Sequence, residues 1–216
     1  MHRADLWRRI AGDRFAPTRI DSDTLWKDPP VTEDCVRTDG DDQPPNSTVA
    51  DHLCRVLGDV PRRWLVVNVE KQRLQLIVDG VVVSSYGVST AFTGVDGREG
   101  SFGTPPGVHR IARRIGAQRP CGTWFVSREP QGKVWRPGDD GGDDLILSRI
   151  LTLDGCEDGV NRGAGCDSLQ RFIYIHGTNH EDRIGEPVSR GCIRMSNTDV
   201  IHLFDQVEEG DPVVVV

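Results

Sequence analysis

The chain has 216 residues, of which 37% are hydrophobic and 27% charged, and a net charge of −7. This is a soluble, globular composition, enough for one good-sized domain and an extension. The negative balance argues against a general nucleic-acid surface, and no apolar run reaches bilayer length; the longest pieces, such as residues 64–67, suit single strands.

Residues 1–61 read as an N-terminal extension, partly disordered. They contain Asp21-Ser22-Asp23, Lys27-Asp28-Pro29-Pro30 and a run from Asp39 to Ser47 rich in Asp, Gly and Pro. Two short helices are expected within them. One covers residues 4–10. The other covers residues 49–57, with Val49, Leu53, Val56 and Leu57 at helical spacing and Gly58 and Pro61 as stops. The first ten residues are basic but lack the apolar core and small-residue cleavage site of an export leader. Read alone, the sequence therefore places the protein in the cytoplasm, or else its leader lies outside the sequence.

From Trp64 the pattern turns to strands. Leu65, Val67 and Val69 alternate with Val66, Asn68 and Glu70, and Leu74, Leu76 and Val78 alternate next. Asp79-Gly80 between apolar flanks predicts a tight hairpin. Further strands are expected over residues 81–89, 107–115, 122–127, 145–153, 171–176 and 212–216. Many short strands with polar turns predict a mostly β domain over residues 62–216, a twisted sheet or sandwich rather than βαβ units. Two long loops interrupt it, at 90–106 and 128–144. The second carries Trp135 between Lys133 and Arg136, suited either to substrate contact or to packing under a solvated loop. One late helix is expected. Ser196 and Asp199 resemble a capping box, Val200, Leu203, Phe204 and Val207 form one apolar face, and Gly210 ends it.

Six cysteines fall at 35, 54, 121, 156, 166 and 192, without C-x-x-C or zinc-ribbon spacing. Cys156 with Cys166, and Cys35 with Cys54, are possible bridges in an oxidising compartment. Without an export signal, free thiols are the expectation for all but Cys192.

Cys192 stands in Ser189-Arg190-Gly191-Cys192-Ile193-Arg194, thirteen residues after His176-Gly177-Thr178. Core cysteines sit in apolar runs; this one follows a glycine and lies between two arginines, which favours a thiolate. A thiol and an imidazole brought together are a nucleophile and its base. The N–H groups of Gly191 and Cys192 are candidate oxyanion donors. Glu181, Asp182 or a backbone carbonyl are candidates to orient the His176 ring. A zinc site using His176, His180 and Cys192 is the competing reading. Residues 177–179 make a poor helix interior, so the i, i+4 histidines lack a shared face and no metal is expected.

The segment from His176 to Asp199 resembles the signature of the YkuD-type L,D-transpeptidases, bacterial cysteine enzymes that cross-link peptidoglycan. The matching positions are His176-Gly177-Thr178, Ile184-Gly185, Pro187, Ser189, Gly191 through Met195, Asn197 and Asp199. Val88-Ser89-Thr90 and Thr104-Pro105-Pro106-Gly107 resemble further family elements upstream. The resemblance spans about residues 62–216 and implies a YkuD-like fold without cofactor. It implies Cys192 as nucleophile, His176 as base and Gly191 at the oxyanion position, with Ser189, Arg190, Arg194 and Thr178 toward the substrate. It also implies acylation by carbapenems and a place in the cell envelope. Where many members carry histidine before Gly-Cys, this chain has Arg190. The implied substrate is a peptidoglycan stem peptide, the implied reaction acyl transfer through a thioester, and a monomer is expected. Water in place of an amine acceptor would make the same fold an L,D-carboxypeptidase or endopeptidase. A catalytically idle peptidoglycan-binding module is the reading from a different class.

Overall fold

A computed structural model describes residues 47–139, 142 and 144–216. The helix expected over residues 4–10, Cys35 and the Pro/Gly-rich stretch before residue 47 lie outside the described residues. Within them, helix α1 (Ser47–Leu57) precedes β1 (Arg63–Asn68), β2 (Arg73–Val78), β3 (Val81–Gly87), β4 (Gly107–Ile115), β5 (Thr123–Val126) and β6 (Glu129–Val134). Then follow β7 (Ile146–Gly155), β8 (Tyr174–Gly177), β9 (Ile193–Met195), helix α2 (Asn197–Gln206) and β10 (Pro212–Val215). The described strands form one mixed ten-stranded sheet in the order β3-β2-β1-β10-β4-β7-β5-β6, with β8 joined to β7 and β9 to β8. The domain is mostly β, with a short helix following the cysteine loop and β9. Among the described residues no helix is long and apolar enough to cross a membrane.

The Asp79-Gly80 turn shows how local sequence sets register. Both residues have positive φ, 52° and 78°, as a two-residue hairpin turn requires, and Val78 pairs with Val81. Strand β1 is buried along its length because both faces are covered. Leu65 and Val67 face a core containing Val200, Leu203 and Phe204 of α2 and Val207 just beyond it. Trp64 and Val66 face a second core containing Val49 and Leu53 of α1. The apolar spacing in residues 49–57 thus serves the sheet itself: α1 covers a face that would otherwise expose Ile77, Val108 and Val214.

Two strands arise where the sequence pattern is silent. β6 occupies part of the expected 128–144 loop, and its residues are mostly exposed, so it lacks the alternation that marks a half-buried strand. β9 is only three residues long and is buried throughout.

Strand β7 organises the site. It pairs with β4 through Ile150–Gly155, with β5 at Ile146 and Leu147, and with β8 from Leu147 to Thr152. A register shift between Leu147 and Ile150 interrupts its pairing with β8, and Ser148 there adopts φ 64°. Such a bulge redirects side chains without ending the strand.

Candidate active site

Alternation along the strands sorts two faces. Ile175 pairs with Leu151 on β7 and Ile193 on β9, and all three belong to the α2-side core. One residue further, His176 pairs with Ile150 and Arg194. Tyr174 and Cys192, two residues before His176 and Arg194 respectively, share that second face. Consistently, Cys192 packs against the cluster of Phe125, Ile150 and Tyr174. The sheet therefore delivers thiol, imidazole and guanidinium to one surface.

His176 lies within β8, as the expected strand 171–176 has it, and it is buried. Its Nδ1 is 2.8 Å from the Gly177 carbonyl oxygen. A carbonyl only accepts, so Nδ1 carries the proton and Nε2 of the neutral ring is left to accept one. Burial pushes the His176 proton affinity down; the Asp144 carboxylate and the Gly177 carbonyl push it up, and Arg194 pushes it down. The net lowering keeps the ring neutral and available as a base. Gly177 is required by close packing: a Cβ there would lie 2.5 Å from Asn197 Oδ1 and 2.8 Å from the Leu147 carbonyl.

The cysteine loop is held from within and from outside. Ser189 is fully buried. Its hydroxyl donates to the Cys192 carbonyl at 2.5 Å and accepts from the Gly191 N–H at 3.3 Å. Its backbone exchanges bonds with Thr90 and Phe92, and Ser89 and Arg194 bond reciprocally through their backbones. The Val88-Ser89-Thr90 segment is thus the strap that fixes the Cys192 loop to the sheet. Thr104 closes the 90–106 loop onto that strap by accepting from the Ala91 N–H. Gly191 has φ 119°, a region that favours glycine. A Cβ there would stand 3.1 Å from Ile173 Cδ1 and 3.2 Å from the Gly103 carbonyl. The thiol is half-buried and donates to the Phe172 carbonyl at 3.4 Å. Phe172, with φ 59°, is a bulky residue in the left-handed region.

The loop preceding β7 ends in a carboxylate that the sequence pattern does not single out. Asp144 Oδ2 is 2.6 Å from Arg194 Nη2, and Asp144 Oδ1 accepts from Thr178 Oγ1 at 3.2 Å. Thr178 is fully buried and Arg194 nearly so. The Leu145 N–H donates to Asn179 Oδ1 at 2.8 Å, so the loop end is pinned to the segment after His176. Of the candidates to orient the ring, Glu181 accepts instead from Asn197, from its N–H at 2.6 Å and its Nδ2 at 2.7 Å. Asp182 is exposed. The contact at Nδ1 of His176 is the backbone carbonyl.

Tyr174 adds a further polar group. Arg128 Nε donates to its hydroxyl at 3.0 Å, and the guanidinium lies over the Phe172 and Tyr174 rings, 5.1 and 5.5 Å from their centroids. Burial raises the Tyr174 phenol to about 12, so it stays protonated. Arg190 is exposed. Trp135 is partly buried, and Lys133 lies over Trp124, 5.5 Å from the ring centroid, rather than over Trp135. Cys156 and Cys166 are unbridged thiols. Among the described residues no three His, Cys, Asp or Glu side chains gather as metal ligands.

Comparison with known proteins converges on the same segment. Residues 62–215 match the model of the YkuD family, the L,D-transpeptidase catalytic domain. YqjB of Bacillus subtilis (strain 168), which carries an L,D-transpeptidase name, is 28% identical over 152 residues, covering 70% of each chain. ErfK/SrfK of Salmonella typhimurium, likewise named, is 30% identical over 174 residues, which are 74% of this chain and 46% of that protein. Among solved structures, L,D-transpeptidase 3 from Mycobacterium tuberculosis, in complex with a faropenem-derived adduct, aligns with TM-score 0.46 and 18% identity. The alignment covers 73% of this chain and 61% of that one. The chain belongs to the YkuD-type L,D-transpeptidase catalytic domain family. It spans less than half the length of the Salmonella relative.

Proposed function

We propose that this domain is a cysteine acyltransferase that remodels peptidoglycan stem peptides through a Cys192 thioester. The observation that carries the reading is the His176 ring, buried, neutral and fixed at Nδ1, on the same sheet face as the Cys192 thiol. In the proposed first step the Cys192 proton passes to His176 Nε2 as sulfur bonds the carbonyl carbon of the donor stem. The carbonyl π pair moves onto oxygen, which the N–H groups of Gly191 and Cys192 stabilise; the Gly191 N–H exchanges its long bond to Ser189 for the oxyanion. The carbon–nitrogen bond then breaks, and His176 returns the proton to the departing amine. An acceptor amine attacks the thioester, yields its proton through His176, and releases the Cys192 thiol with a new amide.

Thr178 and Ser189 are buried in this arrangement. Their proposed role is to hold the walls of the site, whereas exposed Arg190 is the proposed partner for a stem carboxylate. The test is mass spectrometry of purified muropeptides and of a carbapenem after incubation with the protein. A cross-linked dimer and a Cys192 adduct are expected. Cys192→Ala should form no adduct, and His176→Ala should slow acylation by about 100-fold or more. A shortened stem in place of the dimer assigns water as acceptor. An adduct that persists in Cys192→Ala overturns the nucleophile.

A further inference from the structure

We propose that Asp144 is a positioning residue for His176: its carboxylate, locked by Arg194 and Thr178, supplies the counter-charge that supports the ring when it takes the thiol proton. The inference rests on the acyl-transfer reading above and extends it to a residue from outside the His-Gly-Thr and cysteine motifs.

Three contacts place Asp144. The ion pair to Arg194 is 2.6 Å long, and the arginine side chain is only 6% exposed against 35% for Asp144. The Thr178 hydroxyl donates to the other carboxylate oxygen at 3.2 Å. The next residue, Leu145, is anchored by Asn179. Arg194 lies directly opposite His176 in the β8–β9 pairing, and Thr178 is two residues beyond it. The carboxylate therefore joins two residues that flank the imidazole. Arg194 Nε is buried with no hydrogen-bond partner among the described residues, and Asp144 is the carboxylate ion-paired with that guanidinium.

The charges that bear on His176 come from two elements and oppose each other. Asp144, from the loop before β7, favours the imidazolium; Arg194, from β9, disfavours it. The same face also carries the titratable Cys192 and Tyr174, charged Arg128 at the Tyr174 hydroxyl, and apolar Ile150 and Phe125. An imidazolium forming in a buried site with Arg194 beside it is costly, and a fixed carboxylate offsets that cost at the moment of proton transfer. The Gly177 carbonyl fixes the tautomer; Asp144 would set how readily the ring accepts a second proton.

The test compares Asp144→Asn, Asp144→Glu and the double variant Asp144→Asn/Arg194→Met with wild type. Two readouts are used: the pH dependence of carbapenem acylation at Cys192, and the His176 titration followed by NMR of ring-labelled histidine. Asp144→Asn is expected to lower acylation kcat/KM by about tenfold or more, a full pH unit in proton affinity being tenfold. It should also move the acidic limb and the His176 midpoint to lower pH. Asp144→Glu should restore both in part. The double variant, which removes two opposed charges, should bring the midpoint back toward wild type. A loss of activity with the limb and midpoint unmoved overturns the proposal. Absence of acylation in wild type would overturn the acyl-transfer reading instead, while the NMR titration still decides the Asp144–His176 coupling.

Discussion

Ser148 and Asn197 share a 2.5 Å hydrogen bond across 49 residues of chain, the serine hydroxyl donating to the amide oxygen. The same asparagine donates to the Thr178 carbonyl at 2.9 Å and to Glu181 at 2.7 Å. One buried side chain thus joins the β7 bulge, the strand carrying His176, the turn after it and the start of α2. Asn197→Ala should destabilise the domain by about 1–3 kcal/mol, because it leaves buried partners unsatisfied. Ser148→Ala should cost a similar amount, since the Gly122 N–H also loses its acceptor. In urea denaturation the double variant should cost less than the sum of the two singles; strict additivity would show that the bond does not couple the two elements.

Gly191 permits no side chain. Gly191→Ala forces an L residue to φ 119° and sets its Cβ against Ile173 and the Gly103 carbonyl. Backbone strain of this kind costs about 1–3 kcal/mol, and the loop moves to relieve it. Carbapenem acylation of Cys192 should fall by about tenfold or more, with a smaller change in Tm. An unchanged acylation rate would separate the Gly191 backbone from oxyanion stabilisation.

His109 on β4 predicts acid sensitivity. It is fully buried, with ring nitrogens 3.1 Å from the Gly107 carbonyl and 3.0 Å from Ser168 Oγ. Burial lowers its pKa from 6.5 to about 4. The unfolded chain therefore binds this proton more readily than the folded one. Its effect is absent above pH 6.5, and stability is lost as pH falls from 6.5 toward 4, at up to about 1.4 kcal/mol per pH unit. Urea midpoints measured across that window should fall less steeply for His109→Gln than for wild type. Equal slopes would assign the loss to other groups.

Helix α1 lies outside the residues matched by the family model yet completes the second core. Leu53 is wholly buried against the sheet. Leu53→Ala should destabilise the whole domain by about 2–5 kcal/mol. The measurement is thermal unfolding followed by near-UV circular dichroism; a Tm unchanged from wild type would mean that α1 is dispensable.

Much of the fold is legible locally. Strand β4 falls where its pattern predicts, over Gly107–Ile115. The Asp79-Gly80 hairpin follows from turn chemistry, and Ser196 caps α2 by accepting from the Asp199 N–H. Such features depend on neighbours in sequence. The carboxylate at Arg194 does not. Asp144 ends a run of Asp and Gly in which Asp139, Asp140, Asp143 and Asp144 look alike, and only the chain path decides which one arrives. The burial of Ser189 is hidden for the same reason, since it arises from the Thr90 strap, about a hundred residues away. Between Glu181, Asp182 and a backbone carbonyl the sequence cannot choose an orienter for His176, because only the path of the turn sends Glu181 to the helix start and leaves the Gly177 carbonyl at Nδ1. β6 escapes detection because an exposed edge strand carrying Pro130 and Gly132 has no core face to impose a period.

The three-way pairing of β7 makes the site inseparable from the architecture. Among the described strands its partners β4, β5 and β8 are joined to one another only through this one, and Ile150, opposite His176, is followed by Leu151 and Leu153 of the main core. Local opening at the nucleophile's face cannot spread into β7 without dissolving the sheet. Amides of β7 should thus exchange with solvent only when the whole domain unfolds, while those of the exposed edge β6 exchange by fraying. On the proposed acyl-transfer reading, substrate entry would then rely on movement of the surrounding loops, with His176 and Arg194 held in the sheet beneath them.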